Sequence, residues 1–164
     1  MTNLEIIARK IFTLDDLVRQ VEVWRFRSNK IVFTNGCFDL LHRGHIDYLS
    51  KAADLGNILI IGLNSDSSVK QLNKGANRPI QNENDRALIL ASLEIVDAII
   101  IFNEDTPAAL IKRLQPDVLV KGGDWNVEQI AGADTVKANG GVVTTIPFVD
   151  GYSTTNIEKK IKSS

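Results

Sequence analysis

Five short runs of β-branched and aliphatic residues, separated by stretches of helical periodicity, constrain this chain more than any other feature. They are KIVFTN (30–35), NILIIGLN (57–64), DAIIIF (97–102), DVLVKG (117–122) and GVVTTIPF (141–148). Within them apolar residues follow one another instead of alternating, as strands covered on both faces require. Between the runs, residues 44–55 set Ile46, Leu49 and Ala53 on one helical face, and 84–93 do the same with Leu88, Leu90 and Ala91. TPAALIKRL (106–114) is expected to open with Thr106 as N-cap and Pro107 at the first helical position. Further helices are expected over 131–138 and from about Thr154 to Ile161. Strands alternating with helices imply right-handed βαβ units, hence an α/β fold: a doubly wound parallel sheet of about five strands with flanking helices. Thr13 to about Arg27 carries Leu14, Leu17, Val18, Val21 and Trp24 at helical spacing. Residues 1–29 are therefore expected as a helical extension packed on a single domain over 30–164.

Composition narrows the function classes. A length of 164 residues suits one domain with a real core. The net charge of -1 supplies no basic field for nucleic acid or an anionic membrane, so neither is expected as a partner. Any anion must be held locally, by backbone amides and a few placed side chains. Cys37 is the only cysteine, which excludes an internal disulfide and fits a reducing compartment. The first sixteen residues hold no apolar segment of signal-peptide type, and no stretch reaches transmembrane length. A cytoplasmic location is the expectation.

Ligands of open α/β sheets bind beyond the carboxyl ends of the strands. Here those ends are Thr34–Asp39, Asn64–Asp66, Phe102–Asp105, Lys121–Trp125 and Phe148–Thr155. The first leads into GCFDLLHRGH (36–45), which contains both histidines of the chain, His42 and His45, with Gly44 between them. A helix starting near Arg43 would offer free N–H groups and a partial positive charge to a phosphate. Gly44, without a Cβ, would let the anion come close to the backbone. Two imidazoles three positions apart can donate to one phosphate from adjacent sides and stabilise charge building on phosphorus. A metal reading would take Cys37, His42 and His45 as ligands, but their spacing is not the usual helical zinc pair and no fourth ligand group follows. Neither GxGxxG after the first strand nor GxxxxGK[ST] anywhere is present, so the phosphates are handled without those loops.

GCFDLLHRGH resembles the His-x-Gly-His signature of the nucleotidylyltransferase superfamily, whose members have a Rossmann-like domain, and GYSTTNI (151–157) resembles its Ser/Thr-rich second signature. Within the superfamily the closer resemblance is to the D-glycero-β-D-manno-heptose 1-phosphate adenylyltransferases, or ADP-heptose synthases. It is carried by VFTNGCFDLLHRGH, GLNSDSSVKQL, RPIQNENDRALILASLEIVD, EDTPAALIKRLQPDVLVKGGDW, EQIAGAD and NGGVV, which together cover nearly all of 30–162. In many bacteria that activity is half of a bifunctional protein with a sugar kinase in front, and this chain is expected to be the stand-alone form.

The resemblance implies that ATP and a heptose 1-phosphate give ADP-heptose and pyrophosphate, with Mg²⁺ on the triphosphate. It gives His42 and His45 the catalytic part of holding α- and β-phosphate oxygens. Asn35, Gly36 and Phe38 would form the first loop facing ATP. Arg86 would approach the phosphates, although a solvated helix charge explains it equally well. In KGGDW, Lys121 could pair with phosphate, Gly122 would admit a close ligand, and Asp124 could bind sugar hydroxyls or a metal ion. Ser153, Thr154 and Thr155 read as N-cap residues, and the resemblance adds a grip on the leaving phosphates. Asp39 is read as a turn residue that fixes its loop. The second signature often has a basic residue three positions past its last Thr, where this chain has Glu158. A homo-oligomer is implied in the same way. A glycerol-3-phosphate-type cytidylyltransferase, or a non-catalytic nucleotide-binding module, remains as the alternative at this point.

Overall fold

A computed structural model describes residues 1–72 and 78–163. Its centre is one all-parallel sheet of six strands: β1 (Ile11–Phe12), β2 (Ile31–Gly36), β3 (Ile58–Asn64), β4 (Ala98–Phe102), β5 (Val118–Gly122) and β6 (Val142–Ile146). The spatial order is β1-β4-β3-β2-β5-β6. From β2 the chain first winds outward through β3 and β4, then returns to place β5 on the other side of β2. The order therefore reverses between β2 and β5, where Val32, Phe33 and Thr34 pair with Val118, Leu119 and Val120. That is the topological switch point, the place where a crevice opens beyond the strand ends.

Helices cover both faces: α1 (Asn3–Ala8), α2 (Leu14–Phe26), α3 (Arg43–Ala53), α4 (Asp66–Gln71), α5 (Glu83–Ala91), α6 (Ala108–Leu114), α7 (Ala133–Ala138) and α8 (Thr154–Lys162). Successive strand residues point to opposite faces, and the two cores follow that alternation. Val32, Leu59, Ile61, Leu63, Ile99, Val118 and Val120 pack with Tyr48, Leu49 and Ala52 of α3 and Ala87, Leu90 and Ala91 of α5. Ile31, Phe33, Ile60, Ile100 and Leu119 pack with Leu17 and Val21 of α2, Leu110, Ile111 and Leu114 of α6, and Val136 of α7.

The five expected strands are present within a residue or two, and a sixth lies beside them. Two residues long, β1 pairs with β4 at the sheet edge through Ile11 and Phe12. Its short length leaves no periodicity to read. The front segment thus carries α1 and a strand as well as α2, whose N-cap is Thr13. The N-cap of α6 is Pro107, not Thr106, and the helix begins at Ala108. On α3 the buried face is Tyr48, Leu49 and Ala52, while Ile46 is exposed. Among the described residues no helix is long and apolar enough to cross a membrane.

Candidate active site

A cavity of about 590 Å³ lies at the switch point. Its floor and walls come from Asn35 to Asp39, His45 and Tyr48, Arg78, Lys121 with Gly122 and Trp125, Phe148, and Thr154 with Thr155. Three of the five strand ends meet there, those of β2, β5 and β6. The ends of β3 and β4 do not, because Ser65 caps α4 directly after β3 and its N–H donates to Phe102 O.

Across the cleft the ends of β2 and β5 are joined by polar contact. Lys121 Nζ donates to Asn35 Oδ1 at 3.3 Å and lies 5.8 Å from the centroid of the Trp125 ring. The loop after β2 turns through Phe38, which takes a left-handed backbone conformation at φ 45°. A non-glycine residue held there costs energy, and such residues cluster at functional sites. The turn buries the Phe38 ring against the edge of His45, centroid to centroid 5.3 Å.

His42 is the N-cap of α3, in extended conformation and without a side-chain capping bond. The first-turn N–H groups of α3 therefore lack the usual side-chain acceptor. The His42 and His45 rings stack at 3.9 Å with an interplanar angle of 22°. His45 lines the cavity and His42 backs it. Nδ1 of His42 is buried with no hydrogen-bond partner, an arrangement that awaits a ligand or a proton. Burial lowers the His42 pKa below that of ordinary imidazole, so the resting ring favours its neutral form and an arriving phosphate would draw a proton onto it. Below the pair, Tyr48 is buried with its hydroxyl between Thr34 Oγ1 and Val120 O. Burial pushes its pKa up to about 12.

Two glycines serve packing more than ligand approach. A Cβ on Gly44 would meet the His42 ring at 3.1 Å and Tyr152 Cβ at 3.0 Å, so this glycine makes room for the histidine itself. A Cβ on Gly122 would strike the Phe148 ring at 2.5 Å, and the next residue, Gly123, needs its positive φ of 99° to turn the chain. Phe148, 60% exposed, thus closes over the end of β5 near Trp125, which is 53% exposed.

Arg86 is not in the cavity. It is fully buried, with Nε donating to Gln81 O, one terminal nitrogen to Cys37 O and the other to Asp66. It braces the loop after β2 from behind, which corrects the expectation that it approaches the phosphates. Asp39 does fix a loop, though not its own. Its carboxylate accepts from the N–H groups of Ile80 and Gln81 and from Arg78. Burial raises its pKa, yet those bonds outweigh burial and hold the group below the usual carboxylate value.

Ser153 caps α8 by accepting from Asn156 N and does not line the cavity, whereas Thr154 and Thr155 do. Thr154 also donates to Leu40 O, tying α8 to the β2 loop. Asp124 is exposed in the loop after β5 and does not line the cavity. Among the described residues no three His, Cys, Asp or Glu side chains gather as a metal site. Cys37, His42 and His45 therefore do not make the three-ligand set considered from sequence.

Arg78 was not singled out from sequence. It lines the cavity, and its guanidinium reaches Asp39 at 2.9 Å and Glu158 at 2.7 Å. Within RPIQNENDR it looks like any loop cation, and only the fold reveals its two partners. Trp125 and Phe148 were visible as strand-end residues, but that both lie beside Gly123 required the β5–β6 pairing.

A doubly wound sheet whose switch-point cavity joins an uncapped helix start, stacked histidines, a lysine and a Ser/Thr helix start has the chemistry to receive an anion such as a phosphate. The chain belongs to the cytidylyltransferase-like family, whose sequence pattern matches residues 33–164. It is 54% identical over 154 residues to the Bifunctional protein HldE of Geotalea uraniireducens (strain Rf4), a match covering 94% of this chain and 31% of that protein. To the protein of the same name from Geobacter metallireducens it is 55% identical over 152 residues, covering 93% and 31%. The chain thus spans just under a third of the length of these relatives. Among solved structures it is similar to the lipopolysaccharide core biosynthesis protein of Thermoplasma volcanium GSS1, with a TM-score of 0.60, 27% identity, and coverage of 76% of this chain and 99% of that one. Pantoate-beta-alanine ligase from Francisella tularensis shares the fold, with a TM-score of 0.53 at 16% identity over 88% and 75% of the two chains.

Proposed function

We propose that the chain is a nucleotidylyltransferase that moves AMP from ATP to D-glycero-D-manno-heptose 1-phosphate, giving ADP-heptose and pyrophosphate. The observation that carries this reading is the identity of 54% over 94% of the chain to a bifunctional HldE protein, with His42 and His45 stacked at the cavity. A match to under a third of a two-function protein is what a single one of its activities would occupy.

In the proposed reaction an oxygen of the sugar phosphate attacks the α-phosphorus of ATP in line. The bond from that phosphorus to the bridging oxygen breaks, and pyrophosphate leaves with the electron pair. A phosphate monoester is already ionised near neutral pH, so no side chain has to remove a proton. The work left to the protein is alignment and charge stabilisation. His45, facing the cavity, and His42, stacked behind it, donate to the phosphate oxygens as charge grows. The start of α3, which has no side-chain cap, adds the pull of a helix N-terminus. Lys121, fixed beside Asn35, neutralises charge from the β5 side, and Thr154 and Thr155 receive the leaving end. Mg²⁺ would arrive on the triphosphate and screen its charge. Purified protein with ATP, heptose 1-phosphate and Mg²⁺ should release pyrophosphate. Release with CTP and glycerol 3-phosphate instead would replace this reading with the cytidylyltransferase one.

A further inference from the structure

We infer that Arg78 supplies the positive charge for the departing pyrophosphate on the α8 side of the cavity, and that Glu158 competes with that anion for the same guanidinium. This rests on the transferase reading above and adds a residue pair to it. Arg78 lines the cavity together with Asp39, Thr154 and Thr155. Glu158 lies one helical turn beyond Thr154, so the guanidinium sits alongside the first turn of α8. The position three past the last Thr of the second signature thus holds a carboxylate, and the cation comes from the 78–81 segment instead.

The two carboxylates are held very differently. Asp39 is 6% exposed and pinned by the N–H groups of Ile80 and Gln81 as well as by Arg78. The Glu158 side chain is 26% exposed, and its other oxygen meets Lys162, which is 67% exposed. With Asp39 and Glu158 both on its guanidinium, and Lys162 offsetting the second carboxylate, Arg78 leaves no net positive charge at this wall for a polyphosphate. A phosphate is as good a partner for guanidinium as a carboxylate, and often a bidentate one. The least restrained ligand of Arg78 is Glu158, so Glu158 is the one that an arriving phosphate displaces. Its cost to the anion sets how tightly pyrophosphate is kept and how readily it leaves.

A purely structural latch predicts the opposite sign. If Glu158 only ties α8 to Arg78, then Glu158→Gln loosens α8 and weakens anion binding. If it competes, the same change tightens binding. The probe is inorganic pyrophosphate with Mg²⁺, titrated calorimetrically into the full chain. Glu158→Gln should lower Kd roughly two- to fivefold, the size expected of one partly exposed charge pair. Arg78→Gln should raise Kd by about tenfold or more. In the Arg78→Gln background the gain from Glu158→Gln should vanish, because there is no guanidinium left to release. A Glu158→Gln variant that binds pyrophosphate no better than the unaltered chain overturns the inference, and so does a gain that survives without Arg78. The first of these needs no change at Arg78, so a misfolded Arg78 variant does not leave the question open. Failure of the unaltered chain to bind pyrophosphate at all would instead remove the transferase reading itself.

Discussion

Two helix starts face the cavity, and they are held in opposite ways. The N-terminal end of α3 is backed by Gly44, Tyr48, Leu49 and Ala52, all buried, so the stacked histidines ride on a packed element. By contrast α8 buries none of its residues. It is attached by polar links: Thr154 to Leu40 O, Glu158 to Arg78, and Tyr152, just before the helix, to Arg43. A packed core admits little displacement, whereas polar links on a partly exposed helix can be exchanged one at a time. Under the proposed reaction, the groups assigned to the reacting phosphorus are thus held rigid, and the side assigned to the leaving group is adjustable.

The largest expected effect lies on the rigid side. His45→Ala and His42→Ala should each lower kcat by roughly a hundred- to a thousandfold, the size typical of removing one preorganised donor to developing charge. Binding of ATP, followed by titration, should weaken far less. A parallel loss in both would make the pair a binding element and blur the contrast between the two helices.

Stability should show the same asymmetry. Leu49→Ala empties a fully buried position on α3 and should cost about 2–5 kcal/mol. Ile157→Ala on α8 should cost under about 1 kcal/mol, because that face is only half covered. Urea midpoints of the two variants test this, and equal costs would break the comparison.

Asp39 joins the two regions, since its carboxylate lies in the β2 loop and binds Arg78, which reaches α8. Its native pKa is held below the unfolded value, so its contribution is present above the ordinary carboxylate pKa and lost as pH falls through the lower native one. Asp39→Asn should therefore cost about 1–3 kcal/mol at neutral pH, with the deficit closing in acid. Tyr48→Phe should cost about 1 kcal/mol near neutral pH. With its pKa raised to about 12, the native tyrosine gives stability that is complete below its ordinary value and lost as pH rises through about 12. The phenylalanine variant should lack that alkaline loss.

Much of the rigid region was legible in the sequence, and the adjustable one was not. Continuous apolar runs and a helix start bearing two histidines are local patterns, and they located β2, α3 and the first loop. The Ser/Thr start of α8 was visible for the same reason. Arg78 and Glu158 are 80 residues apart and lie in unremarkable polar surroundings, so their meeting is a product of topology alone. Arg86 misled for a related reason. A charge on an amphipathic helix reads as solvent-facing or ligand-facing, and nothing local announces a buried brace satisfied by Cys37 O and Asp66. Gly44 is expected from sequence to admit an anion, whereas a Cβ there would meet the ring of His42, which no spacing rule displays.

The central claim is tested most directly by pyrophosphate release from purified protein with Mg²⁺, comparing ATP with CTP and heptose 1-phosphate with glycerol 3-phosphate. The account predicts turnover with ATP and the heptose, giving equal amounts of ADP-heptose and pyrophosphate, and its loss in His45→Ala. No release with that pair, or release unchanged without His45, would contradict it.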